Sequence, residues 1–548
     1  ERYNRIHNLK SLPKVQIATV KQFIQEFKKY KPYLKTLSGE LYFERHQGTY
    51  TTEVLNKIGN ETMERLLLYY EQLAAWLYWF EGKFIHQTRL DDWWKEVLLY
   101  QFHDILPGSS IVPVYQHTRQ RYCELIENLY DQIEQLKSHV FNRYMFHGFE
   151  VYNPTGYPRT EWIKHNHTWY HYVVQPYGFQ KPAQPTYPWR PRINNQLNNG
   201  LIQLIIRHDG SFHSLVDLTS GHEFIDPTRH EPMWTIYHEL APEYPAWDFA
   251  DEYRKGPQGH PEVKSMDMHI DGPLQQLTIH YGYSQSSWSM IIQLYEGASW
   301  IKCLCEMDWH DINTSVKWHI PISIQTEQAT CHMQYGHIMR PTHNNDSHAI
   351  AKDEIYAHQF VDVSDAQRGI ALMSPQKYGY RVKDQALEMT ILRSQKKNGS
   401  ELGFKSDPNY PENHYGDLVK HQFEFGLYPH EGVDLIEVET LSSTLKHPIW
   451  VFDQHQAGME VPEKLFSIHN KAVVIQSVKL AYDHHGIILR ITELSGQPQV
   501  CTIETALALD SVWLCDLLEN PIHEMALEDI KLNAFEILTI KLIKGAHI

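Results

Sequence analysis

The sequence predicts an α+β, multi-domain chain: a three-helix bundle followed by a large all-β region built from β-sandwiches. Three observations carry this. The chain is 548 residues long, which at roughly 150 residues per domain amounts to about three to four domains with ample apolar material for a core. Between residues 60 and 140, three stretches repeat apolar residues at spacings of three and four, the period of a helix with one buried face. From Asn153-Pro154 to Ile548 the apolar period falls mostly to two, the period of half-buried strands.

Taken in order, residues 1–53 are mixed and end in SGELYFERHQGTYTTE at 38–53. The first helix, about 60–80, sets Leu66, Leu67, Tyr70, Leu73, Ala74 and Leu77 on one side. The second, about 89–102, aligns Leu90, Trp93, Trp94, Val97 and Leu98 and is stopped by Pro107-Gly108. The third starts near Pro113 and repeats apolar positions from Val114 to Val140. Short connections between three such helices predict a bundle over 54–148. The β region then reads as short runs such as 168–174, 201–206, 276–283 and 487–493, broken by turn residues. It divides into a large β-sandwich region, 149–465, and a C-terminal β domain, 466–548. The polar stretch 395–418 is expected to be a long loop.

Composition excludes several classes. Lys and Arg number 50 against 66 Asp and Glu, for a net charge of −16, and there is no basic tract; neither suits a phosphate backbone, so no nucleic-acid partner is expected. No apolar run reaches the about 18 residues that a membrane span needs. The six cysteines are dispersed without CxxC pairs, which speaks against a disulfide scaffold and for a reducing cytoplasm. Cys303 and Cys305 would share one face of a strand, a poor geometry for bridging each other. The chain begins at Glu1 without a signal peptide and reads as a piece whose true N-terminus lies elsewhere. Aromatic residues make up 12% of the chain, with 15 Trp. That wealth suits a sugar-binding protein, because ring faces pack on pyranose faces, although most such rings fill sheet cores.

The most unusual local string is LLYQFHDILPGSSI, 98–111. A helix delivers His103 and Asp104 to its C-terminal end, where the carbonyls favour a cation. A neutral imidazole is the commonest transition-metal ligand, and the adjacent carboxylate can orient a ligand or accept from a sugar hydroxyl. The same two residues would also serve simply to close a helix end. Three further His clusters read as structural: His165, His167 and His171 in a hairpin, Asp308-His310-Asp311 after a strand, and Asp483-His484-His485-Gly486 in a turn. Ser109-Ser110 does not stand in a G-x-S-x-G frame and reads as a capping turn.

QFHDILPGSSI, together with SGELYFERHQGTYTT at 38–52, resembles the glycoside hydrolase family 38 α-mannosidases, the bacterial and cytosolic branch above all. YNPTGYPR (152–159), YPAWDFADEY (244–253), MRPTH (339–343), FVDVSDAQRGIALMSPQKYGYRVKD (360–384), LRS (392–394) and HQFEFGLYPHEG (421–432) extend the likeness along nearly the whole chain. The resemblance implies one Zn²⁺ per active site, with His103 as a metal ligand and Asp104 as a substrate contact. It places His46, Tyr50 and Thr51 on a platform for the same sugar, and Golgi-type members carry a Trp near the position of His46. Asp248 and Tyr253, with Asp251 nearby, are expected to reach the site from the β region.

The family's N-terminal α/β domain, of which 1–53 would be the end, supplies the remaining zinc ligands, the nucleophile and the acid/base. None of these is found from Glu1 onward, so the metal site is expected to be incomplete in this chain. The catalytic carboxylates are expected upstream of Glu1. The implied function is the C-terminal portion of a zinc-dependent retaining exo-α-mannosidase acting on terminal α-linked mannose of oligosaccharides, cytoplasmic, with homo-oligomer contacts through its sandwiches. The alternative is a non-catalytic carbohydrate-binding or structural remnant.

Overall fold

The computed structural model describes residues 2–6, 9–11, 13–37, 39–141, 149–183, 186–188, 190–191, 193–239, 243–250, 252–399, 414–453 and 463–545. Asp251 and most of the 395–418 stretch lie outside the described residues. Packing divides the chain into two compact units, Glu1–Phe43 and Glu44–Ile548. The first holds a short helix, Arg2–Ile6, and a second, Val20–Phe27, opened by a capping box in which Thr19 and Gln22 each bond the other's backbone N–H.

In the second unit three long helices come first: Val54–Glu81, Gln87–Tyr100 and Val112–Phe141. The second and third lie close to the spans read from the sequence, and the first begins at Val54 rather than near residue 60. The first ends where Gly82 takes a left-handed conformation (φ 67°) and its N–H closes on the Tyr78 carbonyl, 2.8 Å away. The third carries Pro113 in its first turn, where a missing N–H costs nothing. Leu66, Leu73, Trp76, Val97, Leu129 and Ile133 are buried in one core with Ile475, Ile487, Leu489 and Ile540 of the C-terminal sheet. The helices therefore pack on that sheet as well as on one another.

Among the described residues the β region is antiparallel throughout its named pairings. A nine-stranded sheet runs, in spatial order, from Glu262–Asp271 through the meander Leu274–Tyr283, Ser286–Tyr295 and Ile301–Asp308 to Lys420–Glu431, and on to Gly336–Pro341 at its far edge. A six-stranded sheet centred on Ala386–Arg393, Thr314–Pro321 and Trp234–His238 faces it. Leu277, Ile292, Cys303 and Phe425 of the first meet Trp234, Trp318 and Met389 of the second in a shared core. Strand Ser286–Tyr295 alternates buried and partly exposed positions, as the period of two requires, whereas Thr314–Pro321 is buried on both faces. The C-terminal sheet has five strands, ordered Val473–Leu480, Ile487–Glu493, Ile537–Lys544, Leu509–Cys515 and Pro521–Glu524. The chain is thus α+β with a dominant β region.

Helices interrupt the region read as β: Ser347–Ala351 is a short one, and Leu435–Lys446 is the longest. It buries Glu439, Thr440, Ser442 and Ser443 along with Val438 and Leu441, so burial goes nearly all round it and leaves no clean apolar stripe. All six cysteines are free, five of them buried, and Cys303 and Cys305 share one face as expected.

Candidate functional site

The singled-out residues fall on three segments, the platform at 46–53, the turn at 101–110 and the loop that carries Asp248, which the fold locks together. Residues 46–53 form a tight platform. His46 takes a left-handed conformation (φ 65°) ahead of the short 3₁₀ turn Gln47–Tyr50, and its backbone N–H donates to Asp248 Oδ1 across 202 residues of sequence. Thr52 N–H closes on Gly48 O at 3.0 Å. Behind this loop lies Arg393, fully buried. Its Nε and Nη2 grip both oxygens of the buried Glu239 carboxylate, Nη1 donates to Thr52 Oγ1 at 3.0 Å and Nη2 to Asp248 O at 2.9 Å. One guanidinium thus fastens the platform to the loop that carries Asp248. Gly48 makes this approach feasible, because a Cβ there would lie 2.0 Å from Arg393 Nη1 and 2.9 Å from Trp247 O.

The second segment is the turn that follows helix Gln87–Tyr100. His103 and Asp104 stand just beyond the helix end, in a turn closed by Ile105 N–H to Phe102 O at 2.8 Å and Ser109 N–H to Asp104 O at 3.1 Å. Gly108 (φ +95°) presses on the platform: a Cβ on it would meet Thr52 O at 2.4 Å. Lys57 bridges platform and turn, its Nζ donating to Thr52 O (2.6 Å), Leu106 O (2.9 Å) and Pro107 O (3.2 Å). Burial pushes the Lys57 ammonium down to about 7, against the pull of Asp417 and Glu53. Glu53, at the start of the first long helix, is buried between Arg119 (2.6 Å) and Lys397 (3.1 Å). Burial opposes its ionisation, but Lys397 and Arg119 hold its carboxyl below the usual range.

His103 itself is exposed, its side chain retaining 76% of its accessible surface, with Nε2 3.4 Å from Asp104 Oδ2. Asp104 Oδ1 accepts from Ser109 Oγ at 2.8 Å, while Ser110 Oγ and Tyr115 OH, each at 2.9 Å, donate to the Asp104 carbonyl. The carboxylate is therefore fixed and the imidazole beside it is open. An imidazole and a neighbouring carboxylate suit a zinc ion chemically, yet they fill at most two of its four positions. Among the described residues no group of three or more His, Cys, Asp or Glu side chains lies close enough to hold a metal. The described residues do not by themselves complete a metal site.

The remaining residues separate. Thr51 is buried, its Oγ1 2.7 Å from where a Cβ on Gly379 would sit. Tyr50 turns to Tyr356, ring centroids 5.6 Å apart. Tyr253 is buried under the platform's support: its ring stacks on Phe249 at 4.6 Å, and Phe249 in turn lies 4.2 Å beneath the Arg393 guanidinium. His46, Thr51, Asp248 and the 103–108 turn thus come together through shared neighbours, with Tyr253 one layer below. Arg393 lies in the LRS string, but its partner Glu239 and the clamp by Lys57 carry no local signal.

The other His clusters are satisfied locally. His165 stacks on Phe149 (4.0 Å), and His171 lies tilted against Trp162 (4.7 Å). His310 Nε2 lies 2.9 Å from Asp308 Oδ1. Asp483 accepts from His485 N–H at 3.0 Å and from Lys541 Nζ at 2.6 Å.

Helices and facing antiparallel sheets together present these segments, and comparisons with known proteins identify the family. The alpha mannosidase middle domain matches residues 44–139, the glycosyl hydrolases family 38 C-terminal domain 197–401, and the family 38 C-terminal beta sandwich domain 472–540. Alpha-mannosidase 2C1 of Mus musculus is 27% identical over 576 residues, covering 97% of this chain and 53% of the mouse protein. Alpha-mannosidase G of Dictyostelium discoideum is 23% identical and covers 100% of this chain and 56% of its own. In three dimensions, an alpha-mannosidase from Enterococcus faecalis V583 superposes with a TM-score of 0.79 at 14% identity, over 95% of this chain and 72% of that one. The chain belongs to glycosyl hydrolase family 38. It spans about half the length of the curated relatives it matches.

Proposed function

We propose that this chain is the helical and C-terminal portion of a zinc-dependent, retaining exo-α-mannosidase that removes terminal α-linked mannose from oligosaccharides in the cytoplasm. Residues 1–53 are the end of a catalytic α/β domain, 54–148 a three-helix bundle, 149–465 the large sandwich region and 466–548 a C-terminal β domain that offers surfaces for homo-oligomer contacts. His103 supplies one ligand to zinc. Asp104, pinned by Ser109, accepts from a hydroxyl of the bound mannose. His46, Tyr50 and Thr51 form the platform for that sugar, Asp248 orients His46, and Tyr253 supports Asp248 from below.

The observation that carries this reading is the clamp: Lys57 and Arg393 bind the platform, the His103 turn and the Asp248 loop into one rigid surface. A glycosidase needs such fixed placement, because misplacing the sugar against the reacting groups loses rate steeply. Retaining hydrolysis further needs two carboxyls about 5–5.5 Å apart, one to attack and one to protonate the leaving oxygen. This reading assigns both to residues outside 1–548.

The test is metal content. The purified 548-residue chain, equilibrated with zinc and desalted, should retain well under one zinc per chain. One tightly held zinc, lost in His103→Ala, would contradict the incomplete site. The second reading, a carbohydrate-binding protein without catalysis, rests on the exposed His103–Asp104 pair, whose polar atoms can meet sugar hydroxyls directly. It predicts sugar binding with no α-mannoside hydrolysis in the protein as the cell makes it.

A further inference from the structure

A cavity of about 410 Å³ lies where three pieces of the fold meet: the hairpin of Arg159–His165 and Thr168–Val174, the loop 296–300 between strands Ser286–Tyr295 and Ile301–Asp308, and the helix Leu435–Lys446. The helix contributes Glu437, Thr440, Leu441 and Thr444, at spacings of three and four that share one helical face. No residue of the 46–53 platform, the 101–110 turn or the Asp248 loop lines this cavity. It is therefore separate from the surface that carries His103. Its size falls within the roughly 300–1,000 Å³ of small-ligand sites.

Charge decides what such a cavity takes. All but one of the charged side chains on its wall already have a counter-charge. Arg159 grips Glu161 and also donates to Thr444 O at 3.2 Å. Arg190 holds Glu296 at 2.9 Å, and Lys302 holds Glu424 at 2.8 Å. Glu437 is the exception. It stands at the third position of its helix, where a Glu commonly reaches back to the N–H of the capping residue, yet its carboxylate makes no hydrogen bond or ion pair among the described residues. Its neighbour Asp434 is occupied, accepting from Tyr428 OH at 2.9 Å. Burial and Asp434 both raise the Glu437 carboxyl, with Lys471 opposing; a cation beside it would relieve that cost. Trp162, Tyr295 and Trp300 also line the cavity. Trp162 Nε1 donates to Glu296 O at 2.8 Å, which fixes its indole. Trp300 packs on Gly426, where a Cβ would lie 3.1 Å from the indole. Aromatic rings beside an unpaired carboxylate suit a cation twice over, through the ring quadrupole and through the ion pair.

We propose that this cavity is a binding site for a small ligand carrying a primary ammonium, with Glu437 as its counter-charge and Trp162 and Trp300 as its aromatic walls. Two kinds of molecule have that chemistry, an amino sugar and an aliphatic diamine, and the choice of probes separates them. The inference does not depend on the function proposed above.

Isothermal titration of the 548-residue chain at pH 7 with glucosamine, putrescine and N-acetylglucosamine tests this, with thermal melts to establish that each variant is folded. The expected result is saturable binding of glucosamine or putrescine; the first alone identifies an amino sugar, the second alone an aliphatic amine. N-acetylglucosamine keeps the ring but not the charge and should not bind. Glu437→Gln, which keeps the shape and removes the charge, should weaken amine binding at least about tenfold. Ala298→Phe should do the same by crowding the cavity while the carboxylate stays in place. His103→Ala should leave binding unchanged. The chain carries a net charge of −16, so loose attraction of amines to its whole surface would barely register the loss of one carboxylate, and the Glu437→Gln result separates the two. Failure of both amines to bind saturably overturns the proposal. So does equal binding in the wild type and Glu437→Gln, or N-acetylglucosamine binding as tight as that of glucosamine.

Discussion

The clamp at Arg393 makes a prediction with a size. Arg393→Met keeps the aliphatic length but removes every donor, leaving the fully buried Glu239 carboxylate without its bidentate partner. Stripping one partner from a buried ion pair costs about 3–5 kcal/mol. The Asp248 carbonyl, which accepts from Nη2 at 2.9 Å, loses a partner too, worth about 1–3 kcal/mol if it stays dry. Removing both charges, in Arg393→Met with Glu239→Met, spares most of the first cost. The double variant should therefore be clearly more stable than the sum of its single variants, and more stable than Arg393→Met alone. Urea unfolding followed by circular dichroism measures the global effect, and hydrogen exchange at residues 46–54 and 246–250 the local one. The His46 amide, held by Asp248, should lose protection by more than tenfold, which is the equivalent of about 1.4 kcal/mol. An Arg393→Met cost below about 1 kcal/mol, or a double variant that costs the full sum, would refute the clamp.

Two further expectations follow from the same geometry. Gly108→Ala forces a side chain into φ +95° and against Thr52 O at 2.4 Å. The conformation alone costs about 1–3 kcal/mol, so the 101–110 turn should become protease-sensitive; an unchanged digestion pattern would count against the packing of turn on platform. Glu439 has a carboxyl that burial raises to about 8 in the folded chain, above its unfolded value of about 4.3. The folded state then binds more protons, so the stability this group contributes is full below about pH 4 and is lost as pH rises through about 8. Glu439→Gln should flatten that loss and be the more stable protein at pH 9, as thermal melts at pH 5 and pH 9 would register; an unaltered pH profile would place the carboxyl in water.

Much of the fold was legible from the spacing of apolar residues, even where burial goes well beyond one face. The 3- and 4-residue spacing of Leu66, Tyr70, Leu73 and Leu77 foretells the first long helix, and the apolar runs at 168–174 and 487–493 are strands. Leu435–Lys446 escaped because it is short and mixes the buried polar residues Glu439, Thr440 and Ser442 with its apolar ones. The turn at 103–108 could be read locally, since Pro107-Gly108 must end a helix. What holds it could not. Glu53 meets Lys397, Arg393 meets Glu239 across 154 residues, and His46 meets Asp248 across 202. Such pairings depend on how the sheets face each other, and no window of sequence contains them. The grouping of His46 with His103 came from family resemblance alone. The Lys57 bridge supplies its physical reason, since one buried ammonium ties Thr52 to Leu106 and Pro107.

The central claim is that His103 serves a zinc-dependent mannoside site, and it is tested most directly in the protein as its native host makes it. Zinc per chain and release of mannose from an aryl α-mannoside should be measured together for the wild-type protein and for His103→Ala. The account predicts about one zinc and ready hydrolysis in the former, with both lost in the latter while the thermal melt stays in place, because the exposed imidazole holds no core contact. Full hydrolysis with zinc retained in His103→Ala would contradict it.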